Sequence, residues 1–394
     1  MAKMMLKNKK ILLAVCGSIA FYKAFEILSL LKKQGADVYV ALSDGALEFC
    51  SVSGFEALSE HKILSSQTQN WQDGVNHISY SKMDLVLIAP ASVNTINKLA
   101  AGICDNVFMQ TLIAASHVPL VVALAANNNM IEHFATQNSL EILKKNDALI
   151  VEPVLKTLAC GDIGKGGLAS PEVIVEAAIK KLSKPLFVGK KVVITGGATT
   201  EKIDDVRAIT NFSSGKMAMA IARAFYYAGA DVTLLASFET ANEPFEILKF
   251  SSSSKLLELC KSECESANLL VMCAAVSDFV PTKIDGKIKK EDVGEILSLS
   301  LKRNVDILQS LKEFSCKKIG FKLEISSESA HKNARAMLEQ KGLDAVCLNI
   351  LGEKNSFASE QNEVNFITKN NETLLPLASK DEIAGRIVEL AANL

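Results

Sequence analysis

The nine cysteines of this 394-residue chain include no CxxC pair. Their spacing gives neither a zinc site nor a disulfide framework, so a reducing compartment is expected. Each defaults to a small buried apolar residue; only Cys160, set among glycines, departs from that. An excess of charge is missing too, since the net charge is −1. Nothing in that balance argues for nucleic acid or an anionic membrane as a partner. No apolar run approaches the ~20 residues of a membrane helix. The run 11–15 behind the basic start is far too short for the core of a secretory leader. Together these absences predict a cytoplasmic protein. The dinucleotide fingerprint GxGxxG is absent, which disfavours a nicotinamide-dependent reductase. A Walker A loop is absent as well, because the first glycine required before Gly215-Lys216 would fall at Thr210, and this argues against a P-loop kinase. There is no low-complexity tract, and 22% charged with 49% hydrophobic residues is a globular composition.

What is present is an alternation. Short β-branched runs at 11–15, 37–42, 84–89 and 119–124 read as buried strands, with helices predicted over 19–34 and 93–102. This is the βαβ pattern of a parallel sheet covered on both faces. The pattern then starts again. Lys9-Lys10 and the apolar run behind it match Lys190-Lys191, and Gly35-Ala36-Asp37-Val38 matches Gly229-Ala230-Asp231-Val232. Each glycine suits a left-handed helix C-terminus. Lys10 and Gly35 are 25 positions apart, Lys191 and Gly229 are 38 apart, so the second copy carries 13 extra residues. These fall after its first strand, where α/β sheets bind ligands. Strands are expected at 269–274, 318–322, 345–349 and 363–368. Helices are expected at 171–182, 306–314, 327–341 and 381–392. The reading is therefore two doubly wound Rossmann-like α/β domains, 1–182 and 190–394, joined by a linker at 183–189 that contains Pro and Gly.

In the first half, Gly17-Ser18 follows the first strand and precedes a helix, an arrangement that suits one phosphate. The same residues would also make a plain helix cap. Without GxGxxG, a mononucleotide fits better than NAD. A second polar stretch, Pro90-Ala91-Ser92-Val93-Asn94-Thr95, ends the third strand, and Ala101-Gly102-Ile103-Cys104-Asp105-Asn106 makes a further polar turn. Cys160 lies in Leu158-Ala159-Cys160-Gly161-Asp162-Ile163-Gly164-Lys165-Gly166, too rich in glycine to be core.

These segments resemble the homo-oligomeric flavin-containing cysteine decarboxylases, which include phosphopantothenoylcysteine decarboxylase and peptidyl-cysteine decarboxylases. The resemblance implies a flavodoxin-like fold and FMN near Gly17, Ser18, Ser43, Ser92 and Asn94. It implies a catalytic role for His77, before the third strand, and a substrate-carboxylate contact from Asn127. The family's Pro-Ala-Met-Asn stands here as Leu124-Ala125-Ala126-Asn127. It also implies that Cys160, on a flap, is the acid of the reductive step. The chemistry is consistent with that parts list. Loss of carbon dioxide from an aliphatic carboxylate would leave an unstabilised carbanion. Flavin oxidation at the cysteinyl thiol creates a thioaldehyde as electron sink, and the enethiolate is afterwards reduced and protonated.

In the second half, the enlarged loop runs Thr195-Gly196-Gly197-Ala198-Thr199-Thr200-Glu201, then Arg207, then Asn211-Phe212-Ser213-Ser214-Gly215-Lys216. Glycines after a strand and Ser-Ser-Gly-Lys before a helix suggest phosphate binding. Downstream come Ala274-Ala275-Val276-Ser277-Asp278, Lys287, Lys302-Arg303-Asn304-Val305-Asp306 and Gly320-Phe321-Lys322-Leu323-Glu324. This half resembles phosphopantothenate–cysteine ligases throughout, and the order of halves matches the fused bacterial enzymes. The resemblance implies an acyl-nucleotide made from CTP with Mg2+. The loop would bind phosphopantothenate, Asn211 would contact the activated acyl group, and Lys287 would stabilise the phosphate under attack. It implies nucleotide or substrate contacts from Ala274, Ala275, Val276, Asp278, Asn304, Asp306, Phe321 and Lys341, with Arg207 and Lys216 matching the motif. Met337 and Ile350 replace family residues. The implied partners are phosphopantothenate, cysteine, CTP and further copies of the chain, trimer-based through the first domain and dimeric through the second. The competing readings are a peptidyl-cysteine decarboxylase fused to an unrelated nucleotide-binding domain, and a scaffold that has lost catalysis.

Overall fold

The computed structural model describes residues 5–70, 76–157, 163–240, 243–289, 291, 295–325, 327–352 and 359–394. The chain divides into two compact units between Ser183 and Lys184.

The first unit is built on strands β1 (Lys10–Val15), β2 (Asp37–Leu42), β3 (Leu85–Ala91), β4 (Leu120–Leu124) and β5 (Leu149–Val151). They form a parallel sheet in the order 2-1-3-4-5, the flavodoxin-like order. All seven residues of β3 are buried, as expected of a strand covered on both faces. An antiparallel hairpin, β6 (Val154–Thr157) and β7 (Ile163–Gly167), follows the sheet. The predicted helix over 19–34 divides: a 3-10 turn, Ile19–Tyr22, precedes the α-helix Lys23–Lys33. Phe21 N–H donates to the Ser18 carbonyl at 2.9 Å, the tighter ladder common at helix starts.

The second unit continues the strand count with β8 (Lys191–Gly196), β9 (Thr200–Lys202), β10 (Ala208–Thr210), β11 (Asp231–Ala236), β12 (Glu246–Lys249) and β13 (Leu269–Met272). Then come β14 (Phe279–Pro281), β15 (Leu301–Arg303), β16 (Lys317–Glu324), β17 (Ala345–Ile350), β18 (Gln361–Thr368) and β19 (Glu372–Ser379). Eight of them make one sheet, ordered β12-β11-β8-β13-β16-β17-β18-β19. The first six are parallel and follow the Rossmann order 3-2-1-4-5-6. β18 and β19 add an antiparallel edge. Alternate residues of β8 face different cores: Val192 and Ile194 join one cluster, Val193 the other. Each such side chain buried stabilises the fold by roughly 1.5–3 kcal/mol.

The internal repeat has a structural counterpart. Gly35 and Gly229 both take positive φ, +86° and +89°. The Asp84 carboxylate accepts from Lys10 N–H, and Asn268 Oδ1 accepts from Lys191 N–H, both at 2.8 Å. The 13 extra residues fold as the antiparallel pair β9–β10. Two expectations change. The helix predicted over 306–314 is only Ile307–Ser310, since the carbonyls of Lys312, Phe314 and Cys316 turn to the buried Lys318 ammonium at 3.4, 2.6 and 3.1 Å. Residues expected to link the domains instead pack on the second unit. Phe187 is buried with its ring 4.9 Å from Phe225, and its N–H donates to the Ala228 carbonyl.

Candidate active sites

Each unit has a cavity where its parallel strands end. In the first, adjoining strand ends are tied by main-chain bonds: Ser43 N–H to Val15 O, Cys16 N–H to Pro90 O, and Ala125 N–H to Ala91 O. The cavity beyond them has a volume of about 880 Å³ and is lined by Gly17, Ser18, Ser43, Ser92, Asn94 and Asn127. Four of these side chains cap helix starts. Ser18 accepts from Ala20 N–H, Ser43 from Ala46, Ser92 from Thr95 and Asn127 from Asn129. Asn106, also on the cavity wall, caps Val107–Ala114 through Met109 N–H. The cap reading is met, and the capping residues also line the cavity. Capping fixes each side chain at the positive end of a helix, where an anion is favoured.

Gly17 is needed for a close approach. A Cβ there would lie 2.7 Å from the Gly45 carbonyl carbon. Behind it, the Cys16 thiol donates to Thr95 Oγ1 at 3.2 Å. Burial pushes that thiol above its ordinary pKa, so it is an inert packing group. Lys156, Gly166 and Gly167 bring the β6–β7 hairpin to the cavity wall. Lys23 holds the chain after it, its ammonium donating to Leu168 O at 2.8 Å and Ala169 O at 3.3 Å. Burial, then Lys156, lowers the Lys23 pKa. His77 lies in the helix Asn76–Ser81, half-buried, and is not among the residues lining this cavity. Cys160 lies outside the described residues, in the segment between β6 and β7. Lys98 and Lys156 line the cavity without any motif to announce them.

The second cavity, about 470 Å³, is lined by Lys216, Ala274, Ala275 and Phe321, together with Asn349, Asn362 and Lys380. Two fully buried threonines hold the turn that carries Ala274 and Ala275. Thr195 Oγ1 accepts from Cys273 N–H and Ala274 N–H, at 3.2 and 3.1 Å. Thr199 Oγ1 accepts from Ser277 N–H at 3.1 Å. Main-chain bonds Ala275 N–H to Gly197 O and Thr199 N–H to Ala275 O complete the staple between two turns. Asn304 grips the same turn, its Nδ2 donating to Ser277 O and its N–H to Asp278 O, both at 2.8 Å. Asn304 thus positions the Val276–Asp278 end of the turn rather than lining the cavity.

Other motif residues are also structural in this unit. Arg207 pairs with the buried Asp204, at 2.5 Å, and donates to Ile288 O at 2.9 Å. Asp204 in turn accepts from the N–H groups of Val206, Arg207 and Ile288. Arg207 first, and then these N–H donors, hold its carboxyl far below the usual range against the opposing effect of burial. Asp205 accepts from Gly286 N–H, so the segment carrying exposed Lys287 is pinned on both sides. Asp306 caps Ile307–Ser310 and pairs with Lys341 at 2.9 Å. Burial raises its carboxyl pKa, but Lys341 and the Gln309 N–H outweigh that and hold it low. Asn211 is exposed and, with Arg207, Val276, Asp278, Lys287, Asn304, Asp306 and Lys341, is not among the cavity's lining residues. Lys380 and Asn362 were not singled out from the sequence, since neither belongs to a motif.

Residues 1–183 match the family described as Flavoprotein, and residues 187–394 match the DNA/pantothenate metabolism flavoprotein C-terminal domain. The chain is 36% identical over 402 residues to the coenzyme A biosynthesis bifunctional protein CoaBC of Bacillus subtilis, covering 99% of this chain and 98% of that protein. It is 34% identical to the protein of that name from Thermococcus kodakarensis, covering 97% and 94%. Among solved structures, the C-terminal domain of a CoaBC protein aligns with TM-score 0.43 and 29% identity, covering 53% of this chain and 97% of that one. The FMN binding protein AtHal3 aligns with TM-score 0.37 and 29% identity, covering 44% and 95%. With both halves matched in order and nearly the full length covered, the chain belongs to the family of bifunctional coenzyme A biosynthesis proteins, a flavoprotein half followed by a pantothenate-metabolism half.

Proposed function

We propose that the second unit joins 4'-phosphopantothenate to cysteine through an acyl-cytidylate, and that the first decarboxylates the product with FMN to give 4'-phosphopantetheine. The observation that carries this reading is the gathering of Gly17, Ser18, Ser43, Ser92, Asn94 and Asn127 on one cavity. Its volume suits a mononucleotide with a small substrate, and the Gly17–Gly45 approach leaves the phosphate turn without side-chain bulk.

Gly17, Ser18, Ser43, Ser92 and Asn94 would hold FMN. When bound, FMN supplies two-electron oxidation and reduction of the cysteinyl end of the substrate. Asn127 would orient the substrate carboxylate through its amide. Cys160 would deliver the last proton from its thiol, and His77 would act before carbon dioxide is lost. Because His77 is not on the cavity wall of one chain, its role fits an oligomer in which the flavin lies between copies. We infer a trimer-based assembly through the first unit and dimer contacts through the second.

In the second unit, a carboxylate resists attack by an amine until one oxygen becomes a leaving group. Transfer of the cytidylyl group to that oxygen forms the acyl-cytidylate and frees pyrophosphate. The cysteine amine then displaces CMP, forming the amide. Lys287 would offset charge on the phosphate under attack, and Asn211 would contact the acyl group. Phe321 would pack on the base, and the Ala274–Ala275 turn would present main-chain groups. Mg2+ would arrive on the nucleotide phosphates and keep several waters. Among the described residues no cluster of three His, Cys, Asp or Glu side chains forms a protein cage for it. A cytoplasmic location fits the chemistry, and among the described residues no helix is long and apolar enough to cross a membrane.

Two measurements test the reading. The purified protein should be yellow and release FMN on heating; FAD, or no flavin after reconstitution, would sink the first half. CTP, phosphopantothenate and cysteine together should release pyrophosphate, and failure to do so would sink the second.

A further inference from the structure

Four charged side chains line the first cavity: Lys23, Asp44, Lys98 and Lys156. Lys98 pairs with Asp105 at 2.5 Å. Lys23 directs two of its three donors to the carbonyls of Leu168 and Ala169. Asp44 opens the short helix capped by Ser43, next to the Gly45 backbone that Gly17 approaches, and pairs with none of these lysines. Lys156 is different. Among the described residues its ammonium has neither a hydrogen bond nor an ion pair. It acts electrostatically on Lys23, whose pKa is lowered first by burial and then by Lys156; Glu26 and Glu172 oppose this without reversing it.

The hairpin is shaped to hold Lys156 there. Gly167 stands across from it, and a Cβ on Gly167 would lie 3.1 Å from Lys156 Cβ and 3.5 Å from its Cδ. The missing side chain lets the aliphatic stem of Lys156 lie along the opposite strand while the ammonium stays in water. Lys156 is exposed and still lines the cavity, so its charge stands at the mouth rather than at the strand ends.

We propose that Lys156 is a substrate-binding residue of the first unit, which recognises, with Lys23 beside it, the phosphate monoester of the decarboxylation substrate. The inference rests on reading the first unit as the decarboxylase. That reaction brings three anionic groups into one cavity: the flavin phosphate, the substrate carboxylate and the substrate phosphate. The first is proposed at Gly17 and Ser18 and the second at Asn127, all on turns that follow parallel strands. The monoester is the group farthest along the substrate from the cysteinyl carboxylate, so a cation at the mouth is placed to meet it. It carries roughly −1.5 to −2 charge at neutral pH, which answers Lys156 and relieves the repulsion on Lys23 together. The flavin phosphate is the other source of the same chemistry, and the experiment separates the two.

The test compares the full-length, FMN-loaded wild type with Lys156→Gln on two substrates, phosphopantothenoylcysteine and pantothenoylcysteine, which lacks the phosphate. KM for the phosphorylated substrate should rise about tenfold, the low end for a charged donor because Lys156 is exposed. KM for pantothenoylcysteine should not move. An equal rise for both substrates would place Lys156 on their common part and overturn the assignment. An unchanged KM for both would overturn it outright. Weaker flavin binding by the variant, with both KM values unchanged, would give Lys156 to the flavin phosphate instead. Calorimetry adds a readout independent of turnover: the wild type should bind the product 4'-phosphopantetheine more tightly than Lys156→Gln does, and equal binding would sink the subsite. Lys156→Gln should melt with the wild type, since an exposed cation without a partner is lost; a clearly lower melting temperature would make Lys156 structural and end the proposal. A loaded wild type that releases no carbon dioxide from phosphopantothenoylcysteine would instead refute the decarboxylase reading.

Discussion

In the first unit the cavity sits where parallel strands stop and helices start, and the residues that shape it are the caps of those helices. In the second unit the turn at Ala274 and Ala275 walls the strand-end cavity, and side chains bond main chain to hold that turn in place. The first design leaves motif residues on the cavity wall. The second divides them between wall and framework: Lys216, Ala274, Ala275 and Phe321 on the wall, Arg207, Asn304 and Asp306 in the framework. A motif residue in the second unit can therefore matter without lining the cavity, whereas in the first the capping side chains themselves line it.

The sharpest test of that division is Lys287, which is exposed on a segment fixed by Asp204, Asp205 and Arg207. Lys287→Ala should cut pyrophosphate release by roughly several hundredfold, the ~3–4 kcal/mol typical of one lost transition-state donor. Decarboxylation of supplied phosphopantothenoylcysteine should continue at the normal rate. If release of pyrophosphate is undiminished, the framework of the second unit has no catalytic residue to hold, and the contrast between the units fails at its centre.

Arg207→Ala probes the framework itself. It leaves the buried Asp204 carboxylate without its guanidinium partner and frees the Ile288 end of the Lys287 segment. A misplacement of that size costs up to about a hundredfold in rate, so ligase turnover should fall with little change in KM for CTP. There is also a pH signature. Asp204 is held below its unfolded pKa of about 3.9. Its stabilisation is therefore present above that pH and is lost as pH falls through the folded value. In Arg207→Ala the folded pKa rises toward the unfolded one, so less stabilisation is present at neutral pH and less remains to be lost in acid. Calorimetric melts between neutral pH and pH 3 should show the variant melting lower than the wild type at neutral pH with the gap narrowing in acid; a gap that does not change with pH would remove Arg207 from the framework.

For the first unit, Gly17→Ala tests whether the cap-lined wall tolerates any bulk. The added methyl would sit 2.7 Å from the Gly45 carbonyl carbon, and relieving such overpacking costs roughly 1–3 kcal/mol. Flavin affinity should drop by the corresponding factor, roughly 5- to 150-fold, while the ligase half is untouched. Retention of flavin at wild-type affinity would show that the loop at Gly17 is not the phosphate turn.

The difference between the units also governs what could be read from the residues alone. Strands, helices and the repeat are local patterns of apolar spacing and turn residues, and β1 to β4 and the Rossmann core stand close to where periodicity places them. Caps are local too, which is why Ser18 and Ser92 could be picked out, whereas Asn127 came from the resemblance alone. Short polar strands such as β9 and β10 have no apolar period to betray them. Arg207 and Asn304 match a motif, but what they bond depends on residues 81 and 27 positions away. The helix over 306–314 failed for a local reason instead, since the carbonyls of Lys312, Phe314 and Cys316 turn to the Lys318 ammonium six, four and two positions on.

The smallest expected effect decides whether Lys341 belongs to the wall or the framework. The resemblance assigns it to the nucleotide, yet its ammonium lies 2.9 Å from Asp306, and the two side chains are 27% and 45% exposed. An ion pair this open contributes no more than about 1 kcal/mol. Asp306 also caps Ile307–Ser310 through the Gln309 N–H, so it keeps a partner if Lys341 is lost. Lys341→Met should then lower stability by less than about 1 kcal/mol and leave KM for CTP nearly unchanged, because Lys341 is not among the cavity's lining residues. A nucleotide-gripping lysine behaves otherwise: it releases Asp306 when CTP binds, and its loss raises KM for CTP about tenfold or more, as for a charged hydrogen bond. Measuring melting temperature and KM for CTP on the same variant separates the two. A large rise in KM with an unchanged melt would move Lys341 from framework to wall, and the second unit would then resemble the first more than its cavity alone suggests.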